Sequence, residues 1–338
     1  TIRDESDKLP INTMSEEALN RMLEESFDFD FSTARELSSM LLDWIDPDDT
    51  PSELGAEEGS YASRNPPVTP RNGPVRTIQE LELVLGVRAE YLRGEDWNLN
   101  GRLDPNEDDG STSFPDDNAD GVLDAGWSAH ITAQSVDFGL AFSSDERLDL
   151  TIATAYQLTA RLGYLTTPQA DAEIAHARTQ SATVWDYITT PLSAIAAGSE
   201  SIPDNIPDLT LEQTEQLIDE VTLTPSDDGP VPGRLNINTA DRETLEKLTA
   251  IDAVTADILL LERNARGGAG FASNFELLEI PGITTQSLAV LSAFIDTRPN
   301  AYVITSTGRD ANTGIESEIV ATIQRTALPV PITEFIAR

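Results

Sequence analysis

The chain has 338 residues, a length that accommodates about two or three compact units. Its 59 acidic and 22 basic side chains give a formal charge of −37, and so negative a surface repels nucleic-acid phosphates and anionic lipid headgroups. The absence of cysteine excludes disulfides, thiolate metal sites and cysteine nucleophiles. No stretch approaches about eighteen consecutive apolar residues, so no membrane-spanning helix is predicted. The first residue, Thr1, is neither a methionine nor part of a signal-like run, which indicates a processed or engineered fragment.

A short extended stretch that leads into a helix occurs near the beginning of the chain and again towards its end. Both helices carry acids in the first turn, where the helix dipole favours them, and leucines spaced to form one buried face. The later copy continues into two helical segments joined by a Pro-Gly turn, and a weaker counterpart follows the first copy. This recurrence predicts an internal duplication of a small helix-hairpin unit. The matching stretches are Leu9–Thr13 with Ser15–Leu19, Ile78–Val87, Leu235–Thr239 with Asp241–Leu245, and Phe275–Ile283 with Ser287–Ile295.

An acidic run lies between the two parts of the first copy. Its side chains could form the carboxylate pair of a hydrolase or a cation site. Pro47, however, ends a helix at this point, and aspartates at a helix end bond local amides. The sequence therefore favours a structural interpretation of the run. It consists of Asp43, Asp46, Asp48, Asp49, Glu57 and Glu58.

The stretch Asp96–Glu107 matches the calcium-loop pattern D-x-[DN]-x-[DN]-G-x5-E at every prescribed position. Calcium is a hard cation that takes about six to eight oxygen ligands, and this spacing supplies them. Gly101 lies at the position where the chain must turn sharply. The predicted ligands are the side chains of Asp96, Asn98, Asn100, Asp104 and Glu107, with the backbone carbonyl of Arg102.

A second, incomplete loop follows at Asp116–Trp127. It repeats the ligand pattern up to Asp124, but Trp127 stands where the bidentate glutamate belongs. The alternative for both loops is an acidic, flexible linker, since Asp, Asn and Gly also dominate turns. The sequence predicts one or two bound Ca²⁺ ions that neutralise crowded carboxylates and stiffen this segment. The predicted ligands of the second loop are the side chains of Asp116, Asn118, Asp120 and Asp124, with the carbonyl of Val122.

The following hundred or so residues are predicted to be mainly helical. Ala129–Phe142 alternates enough to contain one or two short strands. The last helix of this part has Thr210 as its predicted N-cap. The predicted helices are Asp149–Gly163, Ala170–Ile188 and Leu209–Val221, and the predicted loops are Ser199–Pro207 and Thr224–Gly233.

The C-terminal segment predicts a β-hairpin. Tyr302–Thr307 is rich in β-formers, Glu316–Thr326 alternates, and Asp310–Gly314 between them has turn residues. A lone hairpin is marginally stable in water, so it requires a partner. Thr1–Asp4 is predicted to be a strand beside it, which makes the helical units an insertion within an α+β domain.

Several of these stretches, taken in order, resemble the K-type minor pseudopilins of the type II secretion system. The resemblance covers Asp4–Val87 and Leu235–Thr326, over half of the chain, and departs in Gly94–Pro232, which carries the calcium loops. The most specific part is the acidic run with its surroundings. The stretches that carry the resemblance are Asp4–Asn12, Leu42–Asp49, Gly55–Glu58, Asn72–Pro74, Glu80–Gly86, Leu235–Thr239 and Arg263–Phe271.

The resemblance implies an α+β fold. A pilin-like antiparallel sheet would be formed by the terminal strands of the chain, and a large, mainly α-helical insertion would contain two helix-hairpin (SAM-like) repeats. The corresponding segments are 1–8 and 300–338 for the pilin-like β region, 9–93 for the first helical repeat, 94–128 for the calcium loops, 129–233 for a divergent, mainly helical insertion, and 234–299 for the second helical repeat.

The resemblance also implies a function. Members of this family are non-enzymatic subunits at the tip of the pseudopilus and take part in its assembly and in protein secretion. They assemble with the I-type and J-type minor pseudopilins and the major pseudopilin, and secreted substrates are further candidate contacts. They lie on the periplasmic face of the bacterial inner membrane, anchored by an N-terminal helix that this sequence lacks. Family members bind calcium, but no ligand is transferred from them, because the loops fall in the divergent segment.

Two other classes of protein remain open. A secreted calcium-dependent binding module of the dockerin or adhesin type also carries paired D-x-N-x-D-G loops, and a secreted hydrolase can hold structural calcium. The two histidines, His130 and His176, have no triad or metal spacing, and no G-x-S-x-G pattern is present, so no catalytic residue is predicted. Nucleic-acid binding by the later hairpin is disfavoured, because no basic residue lies between Asn274 and Asp296.

Overall fold

The computed structural model describes residues 1–137, 139–179, 182–196, 202–203, 205–224, 231–248, 251–324 and 330–337, the side chains of 231 and 232 excepted. The chain forms two compact units. Unit 1 comprises Thr1–Ser135, Pro232–Thr249 and Arg298–Arg338, and unit 2 comprises Val136–Val231 and Ala250–Thr297. Large parts of the predicted loops Ser199–Pro207 and Thr224–Gly233 lie outside the described residues. No helix in the described ranges is long and apolar enough to cross a membrane.

The secondary structure alternates short helices with very short strands. The α-helices are α1 Glu16–Phe27, α2 Phe31–Ile45, α3 Glu58–Tyr61, α4 Ala89–Arg93, α5 Ala155–Arg161, α6 Thr167–Ala177, α7 Leu192–Ala196, α8 Leu211–Glu220, α9 Arg242–Glu246, α10 Ala253–Ala265 and α11 Thr285–Ser292. The strands are β1 Ile2–Asp4, β2 Leu9–Pro10, β3 Ile131–Thr132, β4 Val136–Asp137, β5 Leu148–Asp149, β6 Val221–Thr222, β7 Val231–Pro232, β8 Leu235–Asn236, β9 Ile295–Asp296, β10 Ala301–Arg309, β11 Glu316–Gln324 and β12 Ile332–Ala337. Short 3₁₀ turns span Ile11–Thr13, Ile78–Leu83, Pro105–Glu107, Trp127–Ala129, Val184–Ile188, Gly267–Ala269 and Asn274–Glu279.

An antiparallel sheet in unit 1 joins the first strand of the chain to the last three, in the order β1-β10-β11-β12. Ile2 pairs with Ile304, Ile304 with Ala321, and Ala321 with Phe335. The turn between β10 and β11 is closed by Asp310, whose Oδ1 accepts hydrogen bonds from the amides of Asn312 and Thr313. The predicted hairpin and the predicted strand at Thr1–Asp4 are thereby confirmed.

Two helices in contact, α1 and α2, form the first helical part of unit 1. The Ser15 hydroxyl accepts a hydrogen bond from the Ala18 amide and so caps α1, and the Asp30 carboxylate caps α2 through the amides of Ser32 and Thr33. Leu19, Met22 and Leu23 of α1 are fully buried, at the helical spacing that the sequence predicts. Their burial stabilises unit 1 by about 1.5–3 kcal/mol for each side chain.

In unit 2, threonines at N-cap positions set where three helices begin. Thr154, Thr166 and Thr210 each accept a hydrogen bond from the amide three residues on, which starts α5, α6 and α8. The predicted cap at Thr210 is confirmed.

Two helices of unit 2, α5 and α6, are shorter than the sequence predicts. The residues before Thr154 instead include β5, which pairs in parallel with β6. The predicted helix Ala170–Ile188 starts earlier, at the Thr166 cap, and ends at Ala177, and a separate 3₁₀ turn starts after Thr183, which caps it. Capping side chains override the apolar periodicity at these points.

The two predicted hairpins share the spacing of their elements. In unit 2 a 3₁₀ turn ends at Glu279, Gly282 has a φ of +99°, and α11 starts at Thr285. In unit 1 a 3₁₀ turn ends at Leu83, Gly86 has a φ of +79°, and α4 starts at Ala89. Each glycine adopts the left-handed conformation that other residues avoid. The duplication of a helix-hairpin unit stays a prediction that this common spacing supports.

Candidate cation site

Three acidic side chains converge where α2 ends. The helix stops at Ile45, because Asp46 is extended and the residue before a proline avoids the helical conformation. The chain then loops back and brings Glu57, which immediately precedes α3, beside that helix end. Carboxylate oxygens of Asp46, Asp48 and Glu57 lie within 4.8 Å of one another. We call these three residues the acidic cluster.

Glu57 is the buried member of the acidic cluster. Its exposed fraction is 5%, and both of its carboxylate oxygens are buried without a hydrogen-bond partner, as is Oδ1 of Asp46. Burial, followed by repulsion from Asp43 and Asp46, raises the pKa of Glu57 to about 7. Burial and the neighbouring Asp48 also raise the pKa of Asp46. Such a group of oxygens requires either a proton or a cation, and oxygen-only donors suit Ca²⁺.

The loop between α2 and α3 is held closely over the acidic cluster. Asp43 is buried, and its Oδ2 accepts a hydrogen bond of 3.0 Å from the Ser52 amide. A Cβ atom at Gly55 would lie 2.0 Å from that same Oδ2, so only glycine fits there. Asn72 supports the loop from the other side through hydrogen bonds of 2.8 Å to the Asp48 carbonyl and 2.6 Å to Asp49 Oδ1.

The first predicted calcium loop is folded by the carboxylates at its two ends. Asp96 is 4% exposed and accepts hydrogen bonds of 2.8 Å from the amides of Asn100 and Gly101. Glu107 is 1% exposed and accepts bonds of 3.1 Å from the amides of Trp97 and Asp104. Gly101 has a φ of +65°, as its place in the pattern requires.

The middle of the first loop brings polar side chains together. Asn98 and Asn100 donate through their Nδ2 atoms to Asp104 Oδ2 at 2.8 and 2.7 Å. The Arg102 guanidinium lies 3.6 Å from Glu318 on β11. Over the described ranges, three carboxylates within 4.8 Å of one another occur in the acidic cluster and not in this loop.

The second predicted loop is organised by a residue outside its pattern. Glu95 is 8% exposed and accepts hydrogen bonds from the amides of Asn118 at 3.1 Å and Asp124 at 3.0 Å. Asn118 Nδ2 donates to Asp124 Oδ2 at 2.9 Å, and the exposed Asp120 accepts a bond of 2.8 Å from the amide of Val122. Asp116 is exposed.

Trp127, at the last position of the second loop, is a core residue. Its exposed fraction is 0%, and it packs in an aromatic cluster with Phe27, Phe29 and Tyr91. This position therefore serves packing and supplies no ligand.

A cavity of about 450 Å³ lies inside unit 1, between the first loop and the inner face of the terminal sheet. Asp7 contributes a buried Oδ1 without a hydrogen-bond partner, and burial raises its pKa to about 6. Burial also raises the pKa of Glu334, with repulsion from Glu5 adding to it. The acidic side chains that line the cavity are Asp4, Glu5, Asp7, Asp96, Asp241 and Glu334.

The segment that contains the acidic cluster also matches a known family model. Residues 4–94 match the family model described as type II secretion system (T2SS), protein K. This segment is similar to protein K, and we call residues 4–94 the protein K domain. The resemblance drawn from Asp4–Val87 is confirmed, and protein K is a structural component of the secretion system. No curated protein matches the chain in sequence.

A solved structure is similar to the whole chain. It is a chain of the crystal structure of the GspK-GspI-GspJ complex from the enterotoxigenic Escherichia coli type 2 secretion system. The alignment covers 100% of this chain and 78% of that chain, at 14% sequence identity and a TM-score of 0.49.

The acidic cluster lies within the protein K domain, and the calcium-loop pattern begins at Asp96, just beyond it. The sequence offered a cation site in the acidic run as an alternative to the favoured structural role, but it did not single out these three residues. The available signal was the D-x-D spacing of Asp46 and Asp48, followed by a glutamate close to a glycine. Glu95 was also missed, because it precedes the loop pattern and bonds the second loop, not the first.

Proposed function

We propose that this chain is a minor pseudopilin, a non-enzymatic subunit at the tip of the type II secretion pseudopilus. It takes part in pseudopilus assembly and protein secretion on the periplasmic face of the inner membrane. Its partners are the I-type and J-type minor pseudopilins and the major pseudopilin, with secreted substrates as further candidates. Besides the protein K domain, the observation that carries the proposal is an exposed apolar face of the terminal sheet.

This face, which we call the outer sheet face, is the one directed away from the cavity. Side chains paired in register share a face, so Ile2, Ile304, Ala321 and Phe335 form one apolar row across four strands. Ile2 is 70% exposed and Phe335 is 60% exposed. A second row contains Tyr302, Ile323 and Ile332, and the outer sheet face also includes Ile319.

The dimensions of the outer sheet face suit a helix. Four strands spaced about 4.8 Å apart span about 14 Å, whereas a helix with its side chains is about 10–12 Å wide. Contiguous apolar side chains left exposed on a sheet indicate a surface that packs against another element. We infer that an apolar helix of the assembled pseudopilus packs on this face.

The assembly proposal is tested by co-purification with the I-type and J-type pseudopilins. Phe335→Ser should reduce their retention, because it removes a large exposed apolar side chain from the centre row of the outer sheet face. The matched control is Ile152→Ser, which removes an apolar side chain that is 78% exposed in unit 2 and should leave retention unchanged. If the unaltered chain retains neither partner, the proposal fails.

We further propose that the acidic cluster binds a structural Ca²⁺ ion. The support is the donor set: three carboxylates within 4.8 Å, of which the buried Glu57 has two unpartnered oxygens. A divalent cation would offset their mutual repulsion and the cost of burying them. Asp96–Glu107 is proposed as a further calcium site, supported by its complete pattern and by the convergence of Asn98 and Asn100 on Asp104.

Calorimetric titration with Ca²⁺ tests both proposed sites. Glu57→Gln should abolish binding at the acidic cluster, because an amide replaces the buried carboxylate. Its neighbour Glu58→Gln is the control, since Glu58 is exposed at the start of α3 and should not affect binding. Asp96→Asn should remove a separate binding event. Unchanged isotherms for both Glu57→Gln and Asp96→Asn would refute both sites.

A further inference from the structure

The middle of α6 in unit 2 contains an almost fully buried carboxyl group. Glu173 is 2% exposed, and its Oε2 is buried without a hydrogen-bond partner. An ionised carboxylate in such a place loses its hydration and gains nothing in return. Burial alone raises the pKa of Glu173 to about 8. The folded unit therefore holds this side chain as the neutral acid at neutral pH.

The anchoring and packing of α6 account for the burial of Glu173. The helix starts at the Thr166 cap, and Gln169 anchors its first turn by donating a bond of 2.9 Å from Nε2 to the Pro207 carbonyl. Its small residues Ala170, Ala172 and Ala177 are buried, so the helix is packed on most sides by its neighbours α5 and α7. Asp171 is exposed on another side of the helix, whereas Glu173 lies on the packed side.

Titratable groups around Glu173 supply no charge that would stabilise its anion. Tyr187 donates its hydroxyl to the Glu173 carbonyl at 2.9 Å, and burial raises the tyrosine pKa, with Glu173 and Asp186 adding to it. Tyr164 donates to the Gln213 carbonyl at 2.6 Å, and burial, then Glu173 and Glu220, raise its pKa. All of these neighbours are neutral or acidic.

His176 lies one turn further along α6 and is held neutral. Its Nε2 is buried without a partner, and its ring centre lies 5.1 Å from that of Tyr187. Burial lowers the pKa of His176, and the opposing effect of Asp186 is smaller. Glu173 and His176, three residues apart on α6, are thus a neutral acid and a neutral imidazole.

We propose that Glu173 makes unit 2 responsive to pH, with its carboxyl protonated in the folded unit and its ionisation opening the helices packed around it. The helical insertion between 129 and 233 thereby gains a role as a pH-sensitive part of the chain. The unfolded chain ionises this group from about pH 4.5 upwards, whereas the folded unit resists until about pH 8. Stability should therefore fall progressively across this interval.

The test compares the full chain with Glu173→Gln and with Asp171→Asn, an exposed carboxylate on the same helix. Between pH 5 and pH 7 the unfolding equilibrium constant of the unaltered chain should rise relative to that of Glu173→Gln, by on the order of a hundredfold. Asp171→Asn should follow the unaltered chain. Hydrogen exchange, corrected for intrinsic rates, should localise the additional opening at higher pH to α5, α6 and α7.

Two results would overturn the proposal. One is an equal pH dependence in the unaltered chain and in Glu173→Gln. The other, which does not depend on the variant folding, comes from NMR titration of the unaltered chain. A Glu173 carboxyl that ionises below about pH 6, together with a His176 imidazolium that persists above its ordinary pKa, would show an ion pair in place of two neutral groups.

Discussion

Replacement of Glu57 by glutamine is expected to stabilise the chain when no cation is present. The pKa of Glu57 is raised from 4.5 to about 7. The unfolded chain therefore releases this proton at lower pH than the folded chain, and folding loses about 1.4 kcal/mol for each pH unit between the two values. Stability is fully present below about pH 4.5 and is lost towards pH 7. Glu57→Gln removes this penalty, so it should gain up to about 3 kcal/mol at pH 7 in EDTA.

Calcium should cancel that advantage. A cation at one hundred times its dissociation constant stabilises the folded protein by about 2.7 kcal/mol. The unaltered chain should gain this amount at the acidic cluster, whereas Glu57→Gln has lost the buried ligand and should gain less. Urea unfolding at pH 7, followed by circular dichroism with EDTA or with Ca²⁺, measures both differences.

The control for this experiment is Glu58→Gln, which should stay within about 0.5 kcal/mol of the unaltered chain under both conditions. A Glu57→Gln protein that is less stable than the unaltered chain in EDTA, and by the same amount in Ca²⁺, would refute the reasoning. In that case the Glu57 carboxyl would be neither penalised by burial nor a ligand.

Three further outcomes are expected. Asp96→Ala and Glu107→Ala should each lower the free energy of unfolding by about 1–3 kcal/mol, because each removes a buried acceptor of two backbone amides. Thermal denaturation with and without chelator measures this loss. Burial raises the pKa of Asp7 to about 6, so the folded chain resists ionisation of this carboxyl group and loses stability between about pH 4 and pH 6. Asp7→Asn should make this fall in stability smaller. Urea unfolding across this pH range measures the difference. Gly55→Ala should destabilise the chain by about 1–3 kcal/mol and weaken calcium binding, since the alanine Cβ would displace the Asp43 carboxylate. Urea unfolding measures the first effect, and calorimetric titration measures the second.

Much of the fold could be predicted from interactions between residues that are close in the sequence. The strand at Thr1–Asp4 and the hairpin of β10 and β11 follow from β-formers and turn residues, and their pairing follows from the need of a hairpin for partners. The cap at Thr210 follows from hydrogen bonding within three residues. The boundaries of helices were harder to predict. The residues before α5 form a strand, because Leu148 pairs with Val221, a contact between positions that are distant in the sequence.

The candidate cation site shows the same limit. Asp46 and Asp48 are neighbours in sequence, so their proximity was visible, but the return of Glu57 depends on the loop closed by Asp43 and Gly55. Burial of Glu57 could not be predicted from a run of six acids, half of which are exposed. Likewise, the calcium-loop pattern predicts the loop ligands but not the role of Glu95. This residue precedes the first loop in sequence, yet its carboxylate accepts hydrogen bonds from amides of the second loop.

The pairing of β1 with β10 has a consequence for biosynthesis. Ile2 of β1 pairs with Ile304 of β10, so the four-stranded sheet cannot close until β10, β11 and β12 have been synthesised. Contacts this distant in sequence form late in folding. Closure of this sheet is therefore expected to be a late step in folding, and a chain cut before β10 would lack the outer sheet face.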